Sequence, residues 1–205
     1  MTPLAELRDK VTQEVIDVLV LTDVLRRYRK PADRTARMVN DGDIVRVRKG
    51  LYVFGPPFRR QVIVREQLAN LIYGPSYVSL DSALSFHGLI PERVDTVTSV
   101  TTGRFREFES PFGSFSCHSF TRNRYSTGVT LVTSGIVSFL IATPEKALAD
   151  KVWTDKRFSG CMSDFEDYLR EDFRLDLSAL SERDLARLRD IERSYNPRKV
   201  SNLVQ

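Results

Sequence analysis

Residues 31–54 read PADRTARMVNDGDIVRVRKGLYVF, and this stretch decides the fold. Asp33 can cap a short helix in which Ala36, Val39 and Met38 face inward while Arg34, Thr35 and Arg37 face out. Asn40-Asp41-Gly42 ends that helix, because glycine after the last turn accepts positive φ. Ile44–Arg48 then alternates, with Val45 and Val47 on one side and Ile44, Arg46 and Arg48 on the other. Lys49-Gly50 turns the chain and Leu51–Phe54 returns, which gives a two-stranded hairpin. Helix, turn and hairpin in that order, with positive charge on all three, predict a winged helix-turn-helix.

Upstream, Leu4, Leu7, Val11, Val15 and Val18 recur at three- and four-residue steps, the stripe of one amphipathic helix. Thr22-Asp23 offers a cap for a second helix through Val24, Leu25 and Tyr28, interrupted by Pro31. The chain has 205 residues and a net charge of only +4, but the charge is uneven. Residues 26–60 hold eleven Arg and Lys against Asp33, Asp41 and Asp43, a local excess of eight, so the remainder is net negative. Basic faces are usually just solvated. Here the excess falls on a DNA-binding layout and points to a polyanionic partner for this segment.

The reading assigns base and phosphate contacts to Arg34, Thr35 and Arg37, since Arg grips guanine bidentately and Thr touches a phosphate or a thymine methyl. Arg46, Arg48 and Lys49 of the hairpin would meet the DNA backbone or minor groove, and Arg26, Arg27 and Arg29 would flank the same groove from the second helix.

Gly55-Pro56-Pro57 breaks regular structure and marks the expected boundary between domains at 1–57 and 58–205. The second part reads as α+β, with a mainly antiparallel sheet and flanking helices. Helices are predicted over 59–73 and 79–87, and a strand over 93–102. Hairpins follow at 104–120 and 129–142, the strand at 136–142 being nearly all apolar and so central and covered on both faces. Thr143-Pro144 opens a helix, Ser163-Asp164-Phe165-Glu166 is a capping box, and Ser181 caps one more. If the first hairpin holds, Arg104, Arg106, Arg122 and Arg124 share one basic surface, although such Arg residues more often protect a strand edge.

Catalytic and cofactor patterns are absent: no G-x-x-x-x-G-K-[ST], G-x-G-x-x-G, H-E-x-x-H or G-x-S-x-G occurs. His87 precedes a helix-ending glycine and suits the helix dipole. Cys117 and His118 are neighbours on a strand and point to opposite faces. The expectation is a non-enzyme without metal or cofactor. Cys117 and Cys161 have no metal-ligand spacing and read as reduced thiols. With no signal-like start and no apolar run long enough for a span, a cytoplasmic protein with no membrane partner is expected.

The runs RVRKGLYVFG, ANLIYGPSYVSLDSALSFHGLIPERVDTVTSVTTGR, FESPFGSFS and FLIATPEKALADKV resemble the AbiEi-like antitoxin family of type IV toxin–antitoxin systems, also described as transcriptional regulators of abortive infection and viral defence. The likeness covers roughly residues 20 to 155. It implies a winged helix that binds inverted repeats in double-stranded promoter DNA, and a C-terminal domain that counters a nucleotidyltransferase-like toxin without requiring a stable complex. It transfers no catalytic residue. The expected state is a monomer or weak dimer that is cooperative on DNA, with Arg104, Arg106, Arg122 and Arg124 as the candidate antitoxicity surface. The rival readings are a stand-alone winged-helix transcription factor with a ligand-sensing or dimerisation domain and, further off, a nucleic-acid-processing enzyme.

Overall fold

The computed structural model describes residues 2–155 together with Arg174, Arg187, Asp190, Ile191 and residues 193–195. The chain opens with helix α1 (Pro3–Lys10), where Thr2 caps by accepting from the Ala5 amide and Pro3 sits in the first turn. The single long helix expected here is not formed. Val15–Asp17 is a strand, β1, and Asp17 accepts from the Leu19 amide at 2.7 Å to start α2 (Val18–Leu25), so the expected cap at Thr22-Asp23 lies inside a helix. Helix α3 (Pro31–Asn40) begins at Pro31 itself, and Gly42 at φ +77° follows its end.

Strands β2 (Ile44–Arg48) and β3 (Leu51–Phe54) form the expected hairpin, but β3 is the middle strand of three, in the order β1-β3-β2. It is paired on both sides, with Ile16 opposite Tyr52 and Val45 opposite Val53. The two faces of the hairpin serve different cores. Phe54 joins Leu7, Ile16, Leu21, Val24, Leu25, Met38 and Ile44 under the helices. Val47, Leu51 and Val53 instead join the core of the second sheet, with Leu68, Ile72 and Tyr77. Each buried side chain of this size contributes about 1.5–3 kcal/mol, so the hairpin is clamped between two cores.

After the 3-10 turn Pro56–Phe58 comes α4 (Arg65–Ile72), shorter than the helix predicted from residue 59. The second body is β4 (Ser76–Val78), α5 (Leu80–Phe86), β5 (Val97–Thr101), β6 (Arg106–Ser110), β7 (Gly113–Ser119), α6 (Arg122–Tyr125), β8 (Val129–Ser134), β9 (Val137–Ala142) and α7 (Pro144–Thr154). Its six strands run β6-β7-β5-β4-β9-β8. The inner pairs β5·β7 and β4·β9 are parallel and the others antiparallel, so the sheet is mixed. β4 has only three residues and carries no periodic signal that marks it as a strand in the sequence. β9 is second from the edge, not central, and it alternates, with Ser138 and Leu140 exposed and Val137, Phe139 and Ile141 buried. Helices predicted after residue 158, like Cys161, lie outside the described residues. No helix among the described residues is long and apolar enough to cross a membrane.

Two features fix the junction between the halves. Gly55 donates to the Asp43 carbonyl at 2.8 Å, and a Cβ there would lie 1.7 Å from the Gly42 carbonyl oxygen. Arg8 and Glu14 form a buried ion pair in which one guanidinium nitrogen donates to both carboxylate oxygens, at 2.6 and 2.7 Å. The Arg8 guanidinium stacks on Phe54 at 3.8 Å and also donates to the Phe58 and Gln13 carbonyls, while Glu14 accepts from the Arg60 amide. One buried pair thus ties α1, the lead-in to β1 and the segment after β3.

Candidate nucleic-acid interface

Helix α3 buries Met38 and half-buries Pro31, Arg34, Thr35 and Val39, while Ala32, Asp33, Ala36, Arg37 and Asn40 are exposed. Ala36 therefore faces out, not in as the sequence suggested, and Arg34 and Thr35 are partly inward. The reason is that the apolar stripe of so short a helix is narrow: Met38 alone fills the position over the core, and the helix rotates to suit it.

The basic residues fall into separate places. Tyr28, Arg29, Lys30, Asp33, Arg34 and Arg37 line a cup of about 360 Å³ at the turn between α2 and α3. With four cations against Asp33, and Lys30 in loose contact with Asp33 at 3.7 Å, the cup is electropositive. The guanidinium of Arg34 lies 5.8 Å from the Tyr28 ring centre, and its Nε is buried with no hydrogen-bond partner. A guanidinium in an electropositive cup is well matched to the oxygens of a phosphate or carboxylate. In the sequence Tyr28 reads only as an inward residue of the second helix. The i, i+6 reach from Tyr28 to Arg34 across a Pro-containing turn gives no local pattern to read.

On the other flank of α3, Thr35, Ala36, Val39 and Asn40 share a groove of about 560 Å³ with Val18, Leu25, Tyr52 and Arg46. The Thr35 hydroxyl donates to the Pro31 carbonyl at 3.1 Å, within its own helix. Arg46 thus stands beside α3, but Arg48 does not follow it. The ladder shifts register between Arg46 and Arg48, and Arg48 reaches the Leu71 carbonyl at the end of α4 at 3.4 Å. This bulge breaks the alternation on which the sequence reading placed both residues on one face. Lys49 is exposed at the hairpin tip, where the Val18 amide donates to the Gly50 carbonyl and anchors the tip on α2. Arg26 and Arg27 are engaged with acids, Arg26 with Asp23 at 3.5 Å and Arg27 with Glu6 at 2.8 Å.

The sequence matches no family model and no curated protein.

The four arginines of the second body do not share a surface. On β4, Ser76 bonds the Ala69 carbonyl of α4 while Tyr77 bonds Asp150 of α7, so the two helices take opposite faces of the sheet. Arg106 leans on Tyr73 at the end of α4, 5.6 Å from its ring centre. Arg124 stacks on Trp153 of α7 at 3.8 Å. Arg122 and Arg124 belong to α6, not to a strand, and Arg104 is exposed just before β6.

A buried polar cluster lies under α7, where the sequence shows only an i, i+4 Lys–Asp spacing. Lys146 and Asp150, one helical turn apart, pair at 2.9 Å with neither side chain accessible to solvent. Asp150 also accepts from Tyr77 at 3.0 Å, from Ser79 at 2.6 Å and from the Tyr195 hydroxyl. Lys146 donates as well to the Arg124 carbonyl and to Tyr195. Burial pushes the Tyr77 and Tyr195 hydroxyls far above their ordinary range, aided by the Asp150 charge, and pulls Lys146 down. Every group is spoken for and closed to solvent, so the cluster is structural. Nearby, Asp81 and Lys151 form a half-exposed ion pair at 2.7 Å beside His118, whose imidazole burial holds below its usual value. Cys117, on the opposite face of β7, is buried, and burial pushes its thiol up to about 11. His87 caps α5, its ring nitrogen 2.8 Å from the Ala142 carbonyl.

Proposed function

We propose that this chain is a DNA-binding transcriptional regulator whose first fifty-odd residues act as a winged helix-turn-helix. The observation that carries the reading is the cup of Arg29, Lys30, Arg34 and Arg37 around Tyr28, at the start of the helix that would enter the major groove. Three helices, a β1-β3-β2 sheet and a hairpin after α3 supply the element order of such a module. In this reading Arg34, preset by Tyr28, grips a backbone phosphate that fixes register. Arg37, Ala36 and Asn40 face base edges, and Arg46 closes the groove from the hairpin side. Arg48 and Lys49 contribute only at the margin.

The likeness to AbiEi-like antitoxins supplies the biological setting: autorepression through promoter inverted repeats and neutralisation of a nucleotidyltransferase-like toxin by the second body. Two experiments test the two parts. The purified chain should bind DNA from upstream of its own coding region more tightly than unrelated duplex of the same length, and equal affinity for both would end the regulator reading. Co-expression with a nucleotidyltransferase-like neighbour should restore growth, and failure to rescue would remove the antitoxin role while leaving DNA binding intact.

A further inference from the structure

The two edges of the six-stranded sheet are protected differently. At one end β6 carries Arg106, Glu107 and Glu109 within five residues, the usual means of blunting an edge. At the other end β8 reads Val-Thr-Leu-Val-Thr-Ser, with no charge and no proline. Its pairing with β9 runs through six consecutive residues without a bulge, so the edge is straight. Leu131 is 62% exposed and sits directly opposite Leu140, itself 39% exposed. No described residue pairs with the outer side of β8.

The phase of the ladder shows which groups are free. The Thr143 amide donates to the Gly128 carbonyl at 2.9 Å, one step beyond the Val129–Ala142 pair. In an antiparallel ladder the bonding residues alternate, so Thr130, Val132 and Ser134 bond to β9. The N–H and C=O groups of Val129, Leu131 and Thr133 point outward.

We propose that two copies of this chain join through β8, antiparallel about a two-fold axis at Leu131, to make one continuous twelve-stranded sheet. The outward residues are self-complementary about that centre. Leu131 exchanges both backbone bonds with its own copy, and Val129 pairs with Thr133 of the other chain, each a β-branched residue that suits a strand. Leu140 extends the strip, so that four leucines line up across the junction on one face. With no charge on β8, no like charges oppose each other along the paired strands, and an isologous contact of this kind closes as a dimer. A single strand edge buries far less than a standard interface, so the dimer is weak and forms with rising concentration. The inference rests on the sheet alone and holds whether or not the chain reads DNA.

Sedimentation equilibrium of the full chain over a wide concentration range tests it. The wild type moves from monomer to dimer mass, whereas Leu131→Arg and Thr133→Pro stay monomeric with unchanged far-ultraviolet circular dichroism. A second readout needs no variant: in hydrogen exchange, the Val129, Leu131 and Thr133 amides become protected as concentration rises. A wild type that stays monomeric, a dimer unaffected by either substitution, or amides that exchange equally fast at every concentration would overturn the proposal.

Discussion

Replacing Asp150 with alanine is the perturbation the second body should tolerate least. The carboxylate accepts from Tyr77, Ser79, Lys146 and Tyr195, and neither it nor Lys146 has any solvent access. Removing it leaves Lys146 without its counter-charge in the core and takes the acceptor from three hydroxyl donors. Breaking a buried pair from one side costs about 3–5 kcal/mol, a large share of the roughly 5–15 kcal/mol that holds a domain folded. Lys146→Met costs less, because the carboxylate keeps three hydroxyl donors. The Asp150→Ala, Lys146→Met double variant then loses less than the two single changes together, with a coupling of about 0.5–3 kcal/mol. Urea unfolding followed by fluorescence and circular dichroism measures all four corners of the cycle. An Asp150→Ala variant within about 1 kcal/mol of wild type, well short of the one-sided cost, would refute the reasoning, as would strictly additive losses.

Other expectations rest on neighbouring contacts. Gly55→Ala drives a Cβ to 1.7 Å from the Gly42 carbonyl, so it should lower stability by about 1–3 kcal/mol or more, read as a shifted urea midpoint. Glu14→Ala leaves Arg8 buried without its carboxylate partner and should cost about 3–5 kcal/mol, with early loss of amide protection in α1 and residues 58–60. Alkaline pH should destabilise the fold. Tyr77 and Tyr195 keep their protons in the native state, so the stability they contribute is complete below about 10 and drains away above it as the unfolded chain ionises. Lys146, depressed by burial, opposes this, since its burial penalty fades as it deprotonates. Two hydroxyls outweigh one amine, and Tyr77→Phe should flatten the fall in urea midpoint through that range.

The sequence disclosed features set by adjacent residues. Lys49-Gly50 and Asn40-Asp41-Gly42 are local turn chemistry, and the hairpin at 44–54 and the end of α3 fell where expected. The Thr143-Pro144 start of α7 was equally plain. It hid what depends on distant partners. Val11, Val15 and Val18 keep a helical spacing, yet Val15–Asp17 is a strand because Leu51–Val53 waits to pair with it. Lys146 and Asp150 look like an ordinary surface pair one turn apart. Only burial beneath Tyr195 and against Tyr77 makes them a core network, though the alternation of Tyr77 and Ser79 hinted at a shared polar face. At the candidate interface the arginines were visible as charge. Their sorting into a cup at Tyr28, a groove at Arg46 and a strut at Arg48 came from a register shift and a helix rotation that composition does not encode.

The central claim is that the basic cup on α3 holds DNA. Fluorescence anisotropy with DNA from upstream of the coding region, titrated across a range of salt, tests it most directly. The wild-type binding constant should fall steeply with salt. In the Arg34→Ala, Arg37→Ala double variant, binding should weaken and the logarithmic slope should shrink by about 0.9 for each phosphate no longer neutralised. An unchanged affinity and slope in that variant, with the fold intact, would contradict the account.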